Sequence, residues 1–194
     1  MQITPRWRVA ILDDHEPSRV AVREAIRTAG GEVAGEALCC ADAVPLIKRA
    51  SPDVAIFAVG LPDGDGIEAA AHAILATDCP VVLFTSHTSE ALLERARAAG
   101  VMAYLLKPLR AAELAPALDL AVARFCENRQ LRQTLEGRKL IERAKGMLMS
   151  RYRLTEEEAF HRLRRAAMDS RRTMVEIAKA VLTSESVARD VPTR

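Results

Sequence analysis

The chain has 194 residues, of which 49% are hydrophobic and 28% charged. That is an ordinary globular mix, with no apolar run near the ~18 residues that a bilayer-spanning helix needs. The formal net charge of +2 hides a division: residues 1–123 hold 11 Lys/Arg against 16 Asp/Glu, net −5, while residues 124–194 hold 17 against 10, net +7. An acidic front and a basic rear suggest two jobs, the rear one on nucleic acid, with solvated helix faces an equal alternative on charge alone.

Residues 1–9 lack a long apolar core and a small-residue cleavage site, so no signal peptide is expected. Cys39, Cys40, Cys79 and Cys126 form no C-x-x-C pair. Reduced thiols and a cytoplasmic location are the expectation. His15, His72, His87 and His161 are scattered, which argues against a metal cluster.

Short apolar runs at 7–12, 33–37, 54–59, 81–84 and 101–106 alternate with helical patterns at 18–29, 41–50, 66–76 and 90–99. Each run is apolar on both faces, as a strand covered by helices on both sides would be. Gly30-Gly31 and Gly100 stop two of the helices. The fold class is therefore α/β, with a five-stranded doubly wound parallel sheet. Ligands of such sheets bind beyond the carboxyl ends of the strands.

From 111 to 149 the pattern is one long helix, with Pro116 early enough to cost a kink at most. Leu114, Leu118, Ala121, Phe125, Asn128 and Leu135 fall near heptad spacing, with Leu131 slightly out of step. They predict a short parallel coiled coil, with Asn128 fixing its register. The alternative is that Leu114 to Phe125 pack on the first domain and a lone linker helix follows. Thr155-x-x-Glu158 and Thr173-x-x-Glu176 are capping boxes that open two more helices. Ala159, Phe160, Leu163 and Ala167 make one apolar stripe, and Ile177, Ala178, Val181 and Leu182 another. With Ile141, Ala144, Leu148 and Met149 they close a small all-α three-helix bundle; the tail after Ser184 is expected to fray. The expected domains are 1–123, a linker helix or coiled coil at 124–140, and a helical module at 128–189.

Asp13 and Asp14 follow the first strand, Thr85 the fourth, and Lys107-Pro108 the fifth, with Tyr104 three residues earlier. This set resembles the receiver domain of two-component response regulators, over about residues 7–123. The resemblance implies that the paired acids hold Mg²⁺, that an Asp after the third strand accepts a phosphoryl group, and that Thr and Lys bind its oxygens. Carboxylates suit a hard cation, and a cation with a lysine offsets acyl phosphate charge. Asp13 and Asp14 are then the metal acids, Thr85 the switch hydroxyl, Tyr104 the switch aromatic and Lys107 the phosphate contact. Pro52-Asp53 and Pro62-Asp63-Gly64-Asp65-Gly66 align with the family pattern without a gap, which puts Ala58 in the acceptor position. A methyl group accepts no phosphate and removes a metal ligand. Mg²⁺ binding is expected to be weak or vestigial, with no other cofactor. Among other acids Asp53 should lie at the far end of the sheet, Asp63 and Asp65 sit in the loop, and Asp13 is the least poor substitute.

The segment Ile141-x-x-Ala144-Lys145-Gly146-x-Leu148-Met149, followed by Ala159-Phe160-x-x-Leu163-Arg164-x-x-Ala167-Met168, resembles the ANTAR domain, an RNA-binding antiterminator module, over about residues 128–185. The resemblance implies recognition of paired hairpins in a leader transcript, one overlapping a terminator, by a homodimer that gains avidity from two modules. Resemblance to amide- and nitrate-responsive antiterminators implies a ligand-sensing protein or a histidine kinase as a further partner. Lys145, Gly146, Arg151, Arg164, Arg165 and Arg171 are the expected RNA contacts, with Lys145, Arg151, Arg164 and Arg171 converging on one face. Phe160 and Met168 are expected in the core, Arg143 and Arg162 in solvent, and Tyr152 as the only stacking aromatic. Rival readings are a DNA-binding response regulator, from a superficial helix-turn-helix pattern at 176–184, and a protein-only adaptor. No nucleophile–base pair or phosphate loop marks an enzyme.

Overall fold

The computed structural model describes residues 6–189 and divides into two compact units, residues 1–127 and 128–194. The first is a parallel sheet wrapped by helices. In chain order it runs β1 (Arg8–Leu12), α1 (Glu16–Thr28), β2 (Glu32–Ala37), a 3₁₀ turn (Cys40–Asp42), α2 (Ala43–Ala50) and β3 (Val54–Ala58). A two-stranded ribbon follows, β4 (Gly60–Leu61) with β5 (Gly64–Asp65), then α3 (Gly66–Thr77), β6 (Val81–Thr85), α4 (Glu90–Ala98) and β7 (Ala103–Leu106). The strand order is β2-β1-β3-β6-β7, with every pairing in that sheet parallel. Strands β3 and β6 are buried along their whole length, which is why their sequences read as unbroken apolar runs rather than alternation. Gly30 and Gly100 both take φ of +81°, a conformation that costs a side chain dearly, and each closes the helix before it.

Helix α5 (Ala111–Tyr152) begins in the first unit and ends in the second. Its early residues Leu114, Leu118, Ala121 and Phe125 are buried in the core of the first unit. Those four residues, expected on a coiled-coil seam, are thus occupied by packing on the sheet. Leu131 and Leu135 remain exposed, at 60% and 48%.

The second unit is a three-helix bundle of the end of α5, α6 (Glu156–Ser170) and α7 (Met174–Arg189). Ala144, Leu148, Ala159, Leu163 and Ala178 form its buried centre. Thr155 caps α6 reciprocally with Glu158, and Thr173 makes the same bonds with Glu176. Gly137 is packed closely against α7: a β-carbon there would lie 3.0 Å from a methyl of Val175. Helix α7 runs without interruption through residue 189, so the 176–184 stretch contains no helix-turn-helix break. The expected fraying after Ser184 falls on residues that lie outside those described in full, 185–194.

Two sequence expectations fail in this bundle. Phe160 and Met168 are exposed, at 38% and 68%. The inward stripe of α6 is Ala159, Leu163 and Ala167, one residue out of phase with them. Alanines at two of those positions let the helices approach closely and leave no room for the larger side chains.

Candidate functional site

The carboxyl ends of the sheet strands bring the expected receiver residues together. Leu12 pairs with Phe57, so Asp13 and Ala58 each follow the last paired residues of β1 and β3. Asp13 is 1% exposed, and both its oxygens are used: Oδ1 accepts from the His15 amide at 2.9 Å, and Oδ2 from the Lys107 ammonium at 2.6 Å. The same ammonium lies 4.8 Å from the Phe84 ring centroid, and Phe84 pairs with Ala58 across β6 and β3. Lys107 therefore lies against Phe84, the strand neighbour of position 58, and binds Asp13. Arg19 secures the other side, donating to the Asp13 carbonyl at 2.8 Å and pairing with Glu16 and Glu36.

Thr85 is buried, and its hydroxyl donates to the His87 carbonyl at 2.9 Å. Asp14 and Tyr104 are exposed. The remaining acids of the motif have structural duties. Asp53 accepts from the Arg8 amide at 2.7 Å, at the amino end of β1 and far along the strand from Asp13. Asp63 accepts from the Cys40 and Ala41 amides, and those two bonds hold its carboxyl below the usual range. Asp65 caps α3 through the Ile67 amide and pairs with Arg95 at 2.6 Å. Burial pushes the Asp65 carboxyl up, but Arg95 and that amide outweigh it and hold it low.

The donor set does not fit a magnesium ion. Among the described residues no group of three or more His, Cys, Asp or Glu side chains converges. Of the two adjacent acids, Asp13 already holds an ammonium. A hard cation takes several oxygen ligands and would have to displace Lys107 first.

In the second unit Lys145 departs from expectation. It is 7% exposed and sits between two carboxylates, Glu142 at 3.0 Å and Glu156 at 2.7 Å. These two pairs join α5 to the start of α6. Gly146 is exposed, and a β-carbon there would meet nothing within 4 Å. No close approach within the chain explains it, and a helical glycine costs ~1 kcal/mol relative to alanine.

The arginines are the available charges. Arg151, Arg164, Arg165 and Arg171 are exposed. Arg165 stands 4.0 Å from Asp169, while Arg164 and Arg171 have no carboxylate partner among the described residues. Arg171 ends α6 in the left-handed conformation, φ 55°. Arg151 shares a cleft with Arg162, and Arg164 follows Phe160 and precedes Met168 at four-residue steps on α6.

A family model of the receiver domain matches residues 9–119, and a model of the ANTAR domain matches residues 129–182. The chain is a response regulator with a C-terminal ANTAR domain. The transcriptional regulatory protein PdtaR of Mycobacterium tuberculosis is 41% identical over 190 residues, covering 94% of this chain and 93% of that one. The DNA-binding transcriptional activator DevR/DosR of the same species is 30% identical over 187 residues, 93% of this chain and 78% of that one. Among solved structures, the receiver domain of the M. tuberculosis response regulator NarL superposes with a TM-score of 0.56 at 34% identity, covering 61% of this chain and 98% of that one. No helix among the described residues is long and apolar enough to cross a membrane.

The ANTAR domain carries a pH signature. Lys145 holds the Glu156 carboxyl below the ordinary 4.5, and the amides of Thr155 and Thr173 do the same for Glu158 and Glu176. A carboxyl lowered on folding stabilises the fold above its unfolded value and loses that contribution as pH falls through the lowered one. Lys145, raised above 10.5 by Glu156 and Glu142, acts in the opposite sense and loses its contribution only in strong base. The domain is expected to be at full stability at neutral pH and to weaken below about pH 4.5. Amide exchange in α6 and α7 across a pH series would check this, and unchanged protection of those helices at pH 3 to 4 (roughly) would refute it.

Proposed function

We infer that this response regulator prevents transcription termination by binding paired hairpins in leader transcripts, and that a protein partner, rather than phosphate at position 58, controls it. The observation that carries the RNA reading is the outer side of the ANTAR domain. There Arg164 and Arg171 stand without carboxylate partners among the described residues, beside the exposed Phe160 and Met168. Cations without internal partners contact phosphates, and an exposed aromatic ring such as that of Phe160 stacks on an unpaired base; a stem-loop presents both. Gly146, open on its helix, lets a ribose-phosphate backbone come close. The net +7 of residues 124–194 gives the attraction its sign. A homodimer would place one ANTAR domain on each hairpin and gain avidity from the pair. Leu131 and Leu135, exposed on α5, are the apolar residues that a helix from a second copy would cover.

Control through a partner follows from the receiver pocket. With a methyl group at 58 and Lys107 already bound to Asp13, the pocket has neither acceptor nor free counter-charge. A ligand-sensing protein that holds the receiver surface until an inducer arrives fits that chemistry. The cytoplasm is the compartment in which leader transcripts are met.

The test is a gel shift with three probes: a two-hairpin leader transcript, the same transcript with one hairpin deleted, and a duplex operator. Tight binding to the first, weaker to the second and only salt-sensitive background to the third is the expected order. Arg164→Ala and Arg171→Ala should each lower RNA affinity and reduce the salt slope by about 1. Preference for the duplex would overturn the RNA reading and support a DNA-binding regulator.

A further inference from the structure

The three helices of the ANTAR domain leave a cleft of about 250 Å³ where they meet. Leu148, Leu163 and Ile177, one from each helix, line it. Its polar wall is Arg151, Tyr152 and Arg162, with no carboxylate among the described lining residues. Tyr152 is 48% exposed, although it is the last residue of α5 and stands over an apolar opening. The Arg162 guanidinium lies 4.7 Å from the Tyr152 ring centroid, and the Arg151 guanidinium 5.8 Å from it. Two helices thus contribute to one ring-and-guanidinium group before any ligand arrives.

Such a group is a preorganised recognition surface. A guanidinium held over an aromatic ring has already lost much of the rotamer freedom that binding would otherwise consume. The chemistry it suits has a flat π-face, polar edges and an adjoining negative charge, which describes an unpaired nucleotide. The apolar floor takes the base, the ring and guanidinium planes stack on it, and the second guanidinium meets its phosphate. The volume suits one base rather than a peptide segment or a larger cofactor, whose sites run from about 300 Å³ upward. A peptide would also gain little from two arginines at the mouth unless it were acidic.

We propose that this cleft takes a single flipped-out base from the hairpin loop, with Tyr152 as the stacking residue and Arg162 and Arg151 as its positioning and phosphate contacts. The proposal rests on the RNA reading above and adds the residues that would read loop sequence. It also divides the labour within the ANTAR domain: Arg164 and Arg171 supply affinity without sequence preference, and the Tyr152 cleft supplies preference.

The experiment uses the full chain and a synthetic pool of transcripts carrying two consecutive stem-loops with randomised loops. Wild-type protein is expected to enrich a loop with at least one fixed base. Replacing that base by an abasic residue should cost wild-type binding roughly 5- to 150-fold, the range of one base–aromatic stack. Tyr152→Ala should suffer a similar loss on the intact loop and show little further loss at the abasic position, because the two changes remove the same contact. Tyr152→Phe should keep the preference, since it keeps the ring. The salt slope should stay unchanged in Tyr152→Ala and Arg162→Gln and fall by about 1 in Arg151→Gln. Thermal melts of each variant separate loss of binding from loss of fold, and Arg162→Gln, on the surface, serves if Tyr152→Ala melts early. If wild-type protein enriches a loop and Tyr152→Ala and Arg162→Gln enrich the same loop equally well, the cleft assignment is overturned while the RNA reading stands. If wild-type protein enriches nothing even at low salt, both fall together.

Discussion

Gly66→Ala is expected to lower the stability of the receiver unit more than any other single methyl group added to it. A β-carbon at Gly66 would run into the Ala58 carbonyl oxygen and close on the backbone of Val59. Neither obstacle is the movable end of a side chain. The Gly66 amide also donates to the Val59 carbonyl at 2.7 Å, which fixes the separation that the methyl group would have to open. Retreat is blocked on the other side, because Asp65 caps α3 and is tied to Arg95 on α4. Overpacking costs ~1–3 kcal/mol and occasionally more, and a backbone obstacle belongs at the upper end. For a unit of this size ~3 kcal/mol corresponds to a fall of about 10 °C in Tm. Thermal melting with amide exchange as a second probe would show it, with the receiver helices losing protection while α6 and α7 keep theirs. A shift of only a degree or two would mean that the β3–α3 junction yields easily, contrary to its hydrogen bonding.

The same junction shows what the sequence made legible. The parallel sheet and the clustering of Asp13, Thr85 and Lys107 follow from buried apolar runs and from the residues after each run, because strand ends of a parallel sheet must meet along one edge. The partner of Lys107 was not legible. It depends on what the lysine finds when the carboxylate expected at 58 is a methyl group, and the answer is Asp13. Pattern reading also favours large apolar residues for the core over alanine. In α6 that preference misplaces Phe160 and Met168, since Ala159 and Ala167 occupy the inward positions and small residues allow the helices to close. The ion pairs of Lys145 were not legible for a related reason: its motif position marks it, but only the fold brings Glu156 within 2.7 Å. The Tyr152–Arg162 contact joins the end of α5 to the middle of α6, and no periodicity within either segment predicts it. The β4–β5 ribbon is two residues per strand, too short to leave an alternation in the sequence.

Ala58→Asp should convert a pocket indifferent to Mg²⁺ into one that needs it. In the wild-type chain Asp13 is neutralised by Lys107, and Asp14 alone faces solvent, so Mg²⁺ at low millimolar concentration, roughly, should not change Tm. A carboxylate at 58 would stand beside Asp13, one residue past the Leu12–Phe57 pairing, and within reach of the same ammonium. One lysine cannot neutralise two buried carboxylates, so the metal-free variant should be less stable than wild type. Residues 13, 14 and 58 could together hold Mg²⁺, whose charge would relieve that repulsion and free Lys107. With a Kd on the order of millimolar, tenfold excess Mg²⁺ should return about 1.4 kcal/mol to the variant and nothing to the wild type. Acetyl phosphate with Mg²⁺ should then add a phosphoryl group to the variant alone, as read by intact mass. Phosphorylation of the wild-type chain, or a Mg²⁺-dependent rise in its Tm, would show that Lys107 releases Asp13 readily. Control through a protein partner would then lose its physical basis, because the pocket would retain the metal and phosphate chemistry that Ala58 is taken to have removed.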